Sequence, residues 1–297
     1  MRRVLVTGAN KGIGLAIATA VLDQQDDTFV LLGSRDLERG RATRDGLTQD
    51  HPAWADRIDV LELDVSSDDS VAKAAEYVTG TRGRQPAPLY AIVNNAGIGL
   101  GAGDLGLVLE VNTFGVRRVC DAFLPLLDQS AGRIVNITSA SGPNFVAACS
   151  PERQRVFLDA NIEWAGLQSL IEECLAIDGG KEAFAAKGLG GGGAYGLSKA
   201  CTNTYTLLLA RENPTLRVNA CTPGLIETDM TRPYAESQGK APSEMGMKSP
   251  ADGARSALFL LFGEPEGNGR YYGSDAVRSP LDRYRAPGDP PHSGVGA

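Results

Sequence analysis

The sequence of 297 residues has few of the side chains on which many enzyme sites depend. Its two histidines, His51 and His292, both stand beside proline in polar surroundings, which leaves little material for a histidine-based triad or a zinc site. Its five cysteines are scattered and form no C-x-x-C pair, as is typical of buried thiols in a reducing compartment. We therefore expect a metal-free protein located in the cytoplasm.

Long apolar runs and blocks of one charge are also missing. No stretch has the length and apolar character of a membrane span, and the N-terminus has no signal-peptide core. The net charge is −7 without a cluster of lysine and arginine, which argues against nucleic acid or an anionic membrane as a partner. What is present is an apolar fraction of 42%, enough for one large or two small domains with a substantial core.

Short apolar runs alternate with longer amphipathic ones along most of the chain. The short runs predict strands at residues 3–6, 28–32, 58–63, 90–94, 133–138, 217–220 and 270–272. The longer runs predict helices at residues 12–24, 37–49, 68–78, 105–128, 194–211 and 251–262. This alternation implies right-handed crossovers and a parallel sheet covered on both faces. The sequence therefore predicts an α/β fold, a single doubly wound Rossmann domain with a parallel seven-stranded sheet, over residues 1–285.

Two stretches interrupt the alternation. Residues 142–193 separate the fifth predicted strand from the next helix and end in a run of glycines. They contain helical patterns at 152–157 and 161–177, so we expect a helical insertion at this point. The tail at residues 286–297 is rich in proline and glycine, which predicts disorder.

Residues 7–14, TGANKGIG, connect the first predicted strand directly to the first helix. A buried strand that turns through glycine into a helix N-terminus forms an anion site, because the first-turn N–H groups are unpaired and the helix dipole favours negative charge. Gly8 would allow the tight turn, Gly12 the approach of a phosphate, and Gly14 close packing of helix on strand. The spacing differs from the common G-x-G-x-x-G fingerprint, but its position favours a dinucleotide site.

Tyr195 and Lys199 lie four positions apart at the start of a predicted helix. This spacing places the phenol and the ammonium group on one face, about one turn apart. For acid–base work near neutral pH, the pKa of a tyrosine must fall well below its usual value. A neighbouring cation contributes to that fall, and an oxidised nicotinamide beside the phenol contributes further.

Other polar residues follow predicted strands, at the edge where open α/β sheets bind ligands. The stretch NNAG at 94–97 ends the fourth strand, Ser139 follows the fifth, and PGLIETDM at 223–230 comes shortly after the sixth. The hydroxyl of Ser139 could donate a hydrogen bond to a polarised carbonyl oxygen. The order of these segments predicts that they meet around one cleft.

Together these motifs resemble the short-chain dehydrogenase/reductase family over about residues 4–273. The matching elements are TGANKGIG at 7–14, Asp64 and Val65 after the third strand, NNAG at 94–97, Asn112, Ser139, YGLSK at 195–199 and PGLIETDM at 223–230. The N-K-G-I-G turn, Ser34-Arg35-Asp36 and the long insertion are most similar to the carbonyl reductases of this family. Residues 99–106 are shortened and glycine-rich, so substrate contacts there do not follow from the resemblance.

The resemblance implies that Ser139, Tyr195, Lys199 and Asn112 are catalytic. Tyr195 would give its proton to the carbonyl oxygen as hydride arrives, and Ser139 would polarise that oxygen. Lys199 would hold the nicotinamide ribose and lower the pKa of Tyr195, while Asn112 would hold a water. Asp64 and Val65 would contact the adenine, and Asn94 the region of the adenosine ribose. The other implied cofactor contacts are Gly8, Asn10, Lys11, Gly12, Ile13, Gly14, Arg35, Ala96, Gly97, Tyr195, Lys199, Pro223, Gly224, Ile226 and Thr228.

The end of the second strand predicts NADPH rather than NADH. An NAD site in this fold has an acidic residue about 20 positions past the glycine turn. Here Arg35 lies 21 positions after Gly14, and a guanidinium there would pair with a 2′-phosphate. Asp36 should point away, because neighbouring residues in an extended chain alternate faces. Lys11 would be a second cation within reach of the same phosphate.

The sequence thus predicts an NADPH-dependent carbonyl reductase acting on a small-molecule ketone or aldehyde. One alternative is an NADP-dependent dehydrogenase that oxidises a steroid-like or secondary-metabolite alcohol, and another is a non-catalytic nucleotide sensor. A sensor would be expected to lack Ser139, Tyr195 or Lys199, which are all present. Because the insertion at 142–193 has few places to go except across the helices through which many family members assemble, we also expect a monomer.

Overall fold

One central sheet contains the eight strands found among the described residues, which are 1–82, 88–99, 104–190 and 193–294 of the computed structural model. The strands are β1 (Arg2–Val6), β2 (Thr28–Ser34), β3 (Ile58–Glu62), β4 (Ala91–Asn94), β5 (Arg133–Ile137), β6 (Arg217–Cys221), β7 (Tyr271–Tyr272) and β8 (Arg278–Ser279). Their order across the sheet is β3-β2-β1-β4-β5-β6-β7-β8. The predicted seven-stranded, fully parallel sheet is wrong in one detail. The two-residue β8 runs antiparallel to β7, and so short a strand has no apolar pattern to reveal it.

Helices join consecutive strands and cover both faces of the sheet. Before β5 they are α1 (Gly12–Gln24), α2 (Leu37–Asp50), α3 (Asp68–Arg82), α4 (Leu105–Leu109), a π-helix (Glu110–Phe114) and α5 (Gly115–Phe123). After β5 they are α6 (Ser141–Ala147), α7 (Pro151–Phe157), α8 (Trp164–Leu175), α9 (Gly180–Ala186), α10 (Ala194–Glu212), α11 (Arg232–Ser237), α12 (Pro250–Gly253) and α13 (Arg255–Phe262). Short 3₁₀ helices occupy Pro52–Arg57 and Leu124–Leu126.

The single helix predicted over residues 105–128 is divided in the structure. It begins at α4, where the Asp104 carboxylate accepts a hydrogen bond from the N–H of Leu107 at 2.7 Å. The π-helix then widens one turn, and a 3₁₀ turn containing Pro125 follows α5. Proline cannot continue an α-helix, which explains the early end. The π-helix depends on contacts with distant residues, so the hydrophobic period did not predict it.

The core consists of two layers, one on each face of the sheet. Because successive side chains of a strand point to opposite faces, β1 sends Leu5 into one layer and Val4 and Val6 into the other. The first layer packs against α3, α5 and α10, and the second against α1 and α13. Burial on both faces accounts for the continuous apolar runs of the central strands.

The insertion lies on α5 and α10. The ring of Trp164, at the start of α8, makes edge contacts with Phe114 and Tyr205, with ring centroids 5.8 and 5.7 Å away. The Arg117 guanidinium lies 3.9 Å from the centroid of the Trp164 ring. Trp164 of the insertion therefore packs on the surface formed by the π-helix, α5 and α10. Residues 191 and 192, at its end, lie outside the described part of the chain.

Residues 286–294 follow β8 without forming a helix or strand. Arg285 donates from Nη1 to the carbonyls of Ala286 and Asp289, at 3.1 and 2.6 Å, and also pairs with Asp275. Arg278 donates to the carbonyl of Gly294 at 2.7 Å. Since residues 295–297 lie outside the described residues, the disorder predicted for the whole of 286–297 stays a prediction.

Candidate active site

The glycine turn after β1 is bound to the end of β4. The Thr7 hydroxyl accepts hydrogen bonds from the N–H groups of Asn95 and Ala96, at 3.0 and 2.9 Å, and the Asn95 amide donates to the carbonyl of Thr7 at 2.9 Å. Gly8 has a φ of +64°, and a Cβ there would lie 2.9 Å from the Cα of Ala96. Only glycine allows this close approach of the two strand ends.

The N-terminus of α1 has the features of an anion site. Gly12, its first residue, has a φ of +58°, and the preceding Lys11 is extended and makes no capping hydrogen bond with its side chain. The first-turn N–H groups of α1 are therefore not capped by the side chain of the N-cap residue, and the helix dipole favours an anion beside them. A Cβ on Gly14 would lie 3.0 Å from the Cα of Ala9, so the first turn of α1 packs closely on the glycine turn itself. The turn thus fits the pyrophosphate of a dinucleotide.

Arg35 and Asp36, after β2, have different surroundings. The Asp36 carboxylate accepts from the N–H of Arg39 at 3.0 Å and pairs with the Arg39 guanidinium at 3.1 Å, so it caps α2. Arg35 is exposed and has no hydrogen bond or ion pair with the described residues. Its positive charge nevertheless acts on Asp64. Burial raises the pKa of that carboxyl, but hydrogen bonds from Ser66 and the charge of Arg35 bring it below its usual value.

Lys11 has a partner that the sequence did not reveal. Its Nζ lies 2.8 Å from Oδ2 of Asp229, 218 positions away in the chain. Asp229 also pairs with Arg232 at 3.0 Å. The ion pair joins the glycine turn to the segment at 223–230, whereas we expected Lys11 to stand with Arg35 at a 2′-phosphate. Both partners are exposed, so the pair itself contributes little to stability.

Ser139, Tyr195 and Lys199 come together where β5 ends and α10 begins. The Nζ of Lys199 donates to the carbonyl of Ile137 at 3.0 Å and lies 5.6 Å from the centroid of the Tyr195 ring. Burial lowers the pKa of Lys199 to about 8. Burial also raises the pKa of Tyr195, against the opposite effect of a hydrogen bond with Ser139. The protein alone therefore keeps the phenol protonated at neutral pH.

Asn112 is buried in the π-helix and its amide is fully engaged. Oδ1 accepts from the N–H of Ile98 at 2.9 Å, while Nδ2 donates to the carbonyl of Ile98 at 2.8 Å and to the hydroxyl of Ser198 at 3.0 Å. The carbonyl of Asn112 accepts from the hydroxyl of Thr202 at 2.7 Å. These bonds tie the loop after β4 to the helix that holds Tyr195 and Lys199. A role for Asn112 in holding water stays a prediction.

Asn94 does not present its side chain to the cleft. The residue is only 3% exposed, and its amide donates to Asn136 Oδ1 at 2.9 Å on the sheet face covered by α5 and α10. In the parallel register Asn94 and Asn136 are direct neighbours on β4 and β5. A contact with the adenosine ribose would therefore have to come from the backbone of Asn94, and this contact stays a prediction. The following Gly97 is close to the site, since a Cβ there would lie 3.7 Å from Lys199 Nζ.

The segment at 223–230 closes over the glycine turn. Gly224 has a φ of +91°, and Ile226 is buried. A Cβ on Gly12 would lie 3.6 Å from Cγ2 of Thr228, which places Thr228 beside the predicted pyrophosphate position. The hydroxyl of Thr231 donates to the carbonyl of Ile226 at 2.6 Å and so shapes this turn. The four predicted contacts Pro223, Gly224, Ile226 and Thr228 thus lie on one segment at the cleft.

Met230 is a site residue that sequence reasoning missed. A Cβ on Gly99 would lie 2.9 Å from Cγ of Met230 and 3.4 Å from Cε2 of Tyr195. The thioether side chain and the phenol ring therefore both lie next to Gly99, on the side to which a Cβ would project. Met230 stands at the end of the PGLIETDM motif, but a single methionine has no pattern that separates a pocket residue from a core residue.

Metal binding and thiol catalysis each need a particular arrangement of side chains. Among the residues that the structure describes, histidine, cysteine, aspartate and glutamate form no group of three suited to a metal ion. The five cysteines are free and buried, and burial raises the pKa of Cys120 and of Cys221 to about 12. Such thiols remain protonated and unreactive at neutral pH. In the same part of the chain no helix is long and apolar enough to cross a bilayer.

Comparison with known proteins gives consistent matches. A family model described as short chain dehydrogenase matches residues 2–151. The chain is 30% identical over 282 residues to carbonyl reductase (NADPH) 1 of Pongo abelii, covering 91% of this chain and 94% of that protein. It is 32% identical over 259 residues to (+)-neomenthol dehydrogenase of Arabidopsis thaliana, covering 77% and 84%. The solved structure of salutaridine reductase from Papaver somniferum matches with a TM-score of 0.73 at 23% identity, covering 92% and 99%, which confirms the predicted fold class.

Proposed function

We propose that this chain, which belongs to the short-chain dehydrogenase family of oxidoreductases, reduces the carbonyl group of a ketone or aldehyde with NADPH. The observation that carries the proposal is the convergence of Ser139, Tyr195 and Lys199 beside the glycine turn. The Pongo abelii relative, a carbonyl reductase by name, matches nearly the whole chain. When bound, NADPH supplies the hydride for the reaction.

The protein's own side chains supply the proton and stabilise charge. Because burial raises the pKa of Tyr195, the phenol keeps its proton at neutral pH and can donate it to the carbonyl oxygen. The Ser139 hydroxyl donates a hydrogen bond to the same oxygen, a contact worth about 3 kcal/mol in sites of this kind. The phenolate left behind is stabilised by the positive charge of Lys199.

The preference for NADPH rests on the end of β2. The exposed Arg35 has no ion-pair partner among the described residues, while the neighbouring carboxylate of Asp36 is engaged in capping α2. NADH binding in this fold uses an acidic side chain that accepts hydrogen bonds from both ribose hydroxyls. The carboxylate of Asp36 already accepts the capping hydrogen bond and so does not suit this role. The free guanidinium suits a 2′-phosphate, which it can bind through two parallel hydrogen bonds.

Replacing Tyr195 by phenylalanine tests the assignment of the proton donor. Tyr195→Phe removes the acidic proton with little change in shape, so we expect kcat to fall by roughly 10²–10⁴-fold while NADPH still binds. The measurements are NADPH oxidation with a panel of ketones, aldehydes and quinones, and fluorescence titration of the cofactor. Tyr77→Phe, an exposed tyrosine on α3, is the matched control and should leave turnover unchanged. A Tyr195→Phe enzyme with near-normal turnover would refute the assignment.

A further inference from the structure

Arg118, on α5, contacts three separate elements with one guanidinium. Its Nη1 donates to the carbonyl of Val65 at 2.7 Å, and its Nη2 donates to Glu110 at 2.7 Å. Its Nε pairs with Asp68, the first residue of α3. The side chain of Arg118 is 18% exposed, whereas that of Asp68 is 85% exposed. The two contacts that lie deeper in the structure are therefore those with Val65 and Glu110.

The contact with Val65 places Arg118 behind the segment assigned to adenine. The side chain of Val65 is buried and packs on Gly115, one turn before Arg118. A Cβ on Gly115 would lie 3.0 Å from both Cγ2 and the carbonyl oxygen of Val65. Two residues of α5 thus hold Val65, one through its backbone and one through its side chain. The charge of Arg118 also helps to keep the pKa of the adjacent Asp64 low, against the effect of burial.

The contact with Glu110 spans the π-helix. Glu110 is the first residue of this widened turn, and Arg118 reaches back to it past Asn112. One guanidinium therefore links the loop after β3 to the turn that carries Asn112. A lysine could not replace it, because an ammonium group is a point charge on a flexible stem, whereas the planar guanidinium donates in several fixed directions.

We propose that Arg118 is a positioning residue for the adenosine half of the cofactor. It fixes the backbone of Asp64 and Val65 so that this segment is formed before NADPH binds, and it does so without touching the reacting atoms. The inference rests on the proposed function, since it requires NADPH as the cofactor, and it takes the adenine position from the family resemblance. Because the segment is already ordered, less conformational entropy is lost when the cofactor binds. Loss of Arg118 should therefore weaken cofactor binding rather than slow the chemical step.

The first test uses 2′,5′-ADP, which has the adenosine half and the 2′-phosphate but no nicotinamide. In Arg118→Lys and Arg118→Met we expect the Kd of 2′,5′-ADP and of NADPH to rise about tenfold, as for a lost charged hydrogen bond. The kcat at saturating NADPH should change less than about threefold, because the chemical step does not involve this residue. The matched control is Asp68→Asn, which removes only the negative charge of the exposed partner of Arg118. It should leave both the Kd values and kcat close to wild type.

A second test, Gly115→Ala, disturbs the position of Val65 without changing Arg118. The added methyl group would meet Val65 at 3.0 Å, whereas alanine is favoured over glycine inside a helix, so the backbone of α5 is not destabilised. We expect weaker binding of 2′,5′-ADP with kcat retained, as in the Arg118 variants. Unchanged affinity in both Arg118→Met and Gly115→Ala, or a fall in kcat as large as the loss of affinity, would overturn the inference. A wild-type chain that binds neither 2′,5′-ADP nor NADPH would instead refute the proposed function.

Discussion

At the scale of single residues, the adjacent charged residues Arg35 and Asp36 have different surroundings. Arg35 stays exposed without a partner among the described residues, while Asp36 caps α2. If Arg35 binds the 2′-phosphate, Arg35→Ala should lower kcat/KM with NADPH about tenfold or more and leave kcat/KM with NADH nearly unchanged. Steady-state kinetics with both cofactors make the measurement. Arg41→Ala, which removes an exposed arginine paired with Glu38 on the same helix, should change neither value. Equal use of NADH by the wild type would contradict the assignment.

At the scale of elements, an ion pair joins the helices of the insertion. Arg153, on α7, donates from Nη1 to Glu173 of α8 at 2.8 Å and from Nε to the carbonyl of Lys187 at 3.1 Å, just after α9. Because the pair is partly buried and joins three helical segments, we expect Arg153→Ala to cost about 1 kcal/mol and to lower Tm by about 2–4 °C. Hydrogen exchange should rise in 142–190 and not in β1 to β4. Arg155→Ala removes a guanidinium that is 75% exposed and should be neutral, so equal effects of the two variants would argue against this role.

At the scale of the whole molecule, the insertion decides which surfaces remain for assembly. Trp164 packs against Phe114 and Tyr205, and Arg117 lies over its ring, so the insertion occupies part of the surface formed by the π-helix, α5 and α10. We therefore propose that the protein is a monomer and expect light scattering to give the mass of one chain, 31.2 kDa. A mass of two or four chains would show that assembly uses another surface or displaces the insertion.

The sequence by itself determined the features that depend on neighbouring residues. The helix α1 has the predicted bounds because the glycine turn and the apolar period that specify it are contiguous. The alternation of strands and helices likewise determined the doubly wound sheet, apart from the short β8. The order of motifs at strand ends was enough to predict that Ser139 and the segments at 94–97 and 223–230 lie around one cleft, because the carboxyl ends of parallel strands lie at one edge. That Tyr195 and Lys199 join Ser139 there was implied by the family resemblance.

Only the tertiary structure decided the contacts between segments distant in the chain. It paired Lys11 with Asp229, directed the Asn94 amide to Asn136 on the neighbouring strand, and placed Met230 and Tyr195 together beside Gly99. It also directed Arg118 to the carbonyl of Val65. Such contacts form only when the helices that connect the strands pack on the sheet and bring distant parts of the chain together. A local pattern of residues does not contain that choice, because the same side chains would suit an exposed helix face equally well.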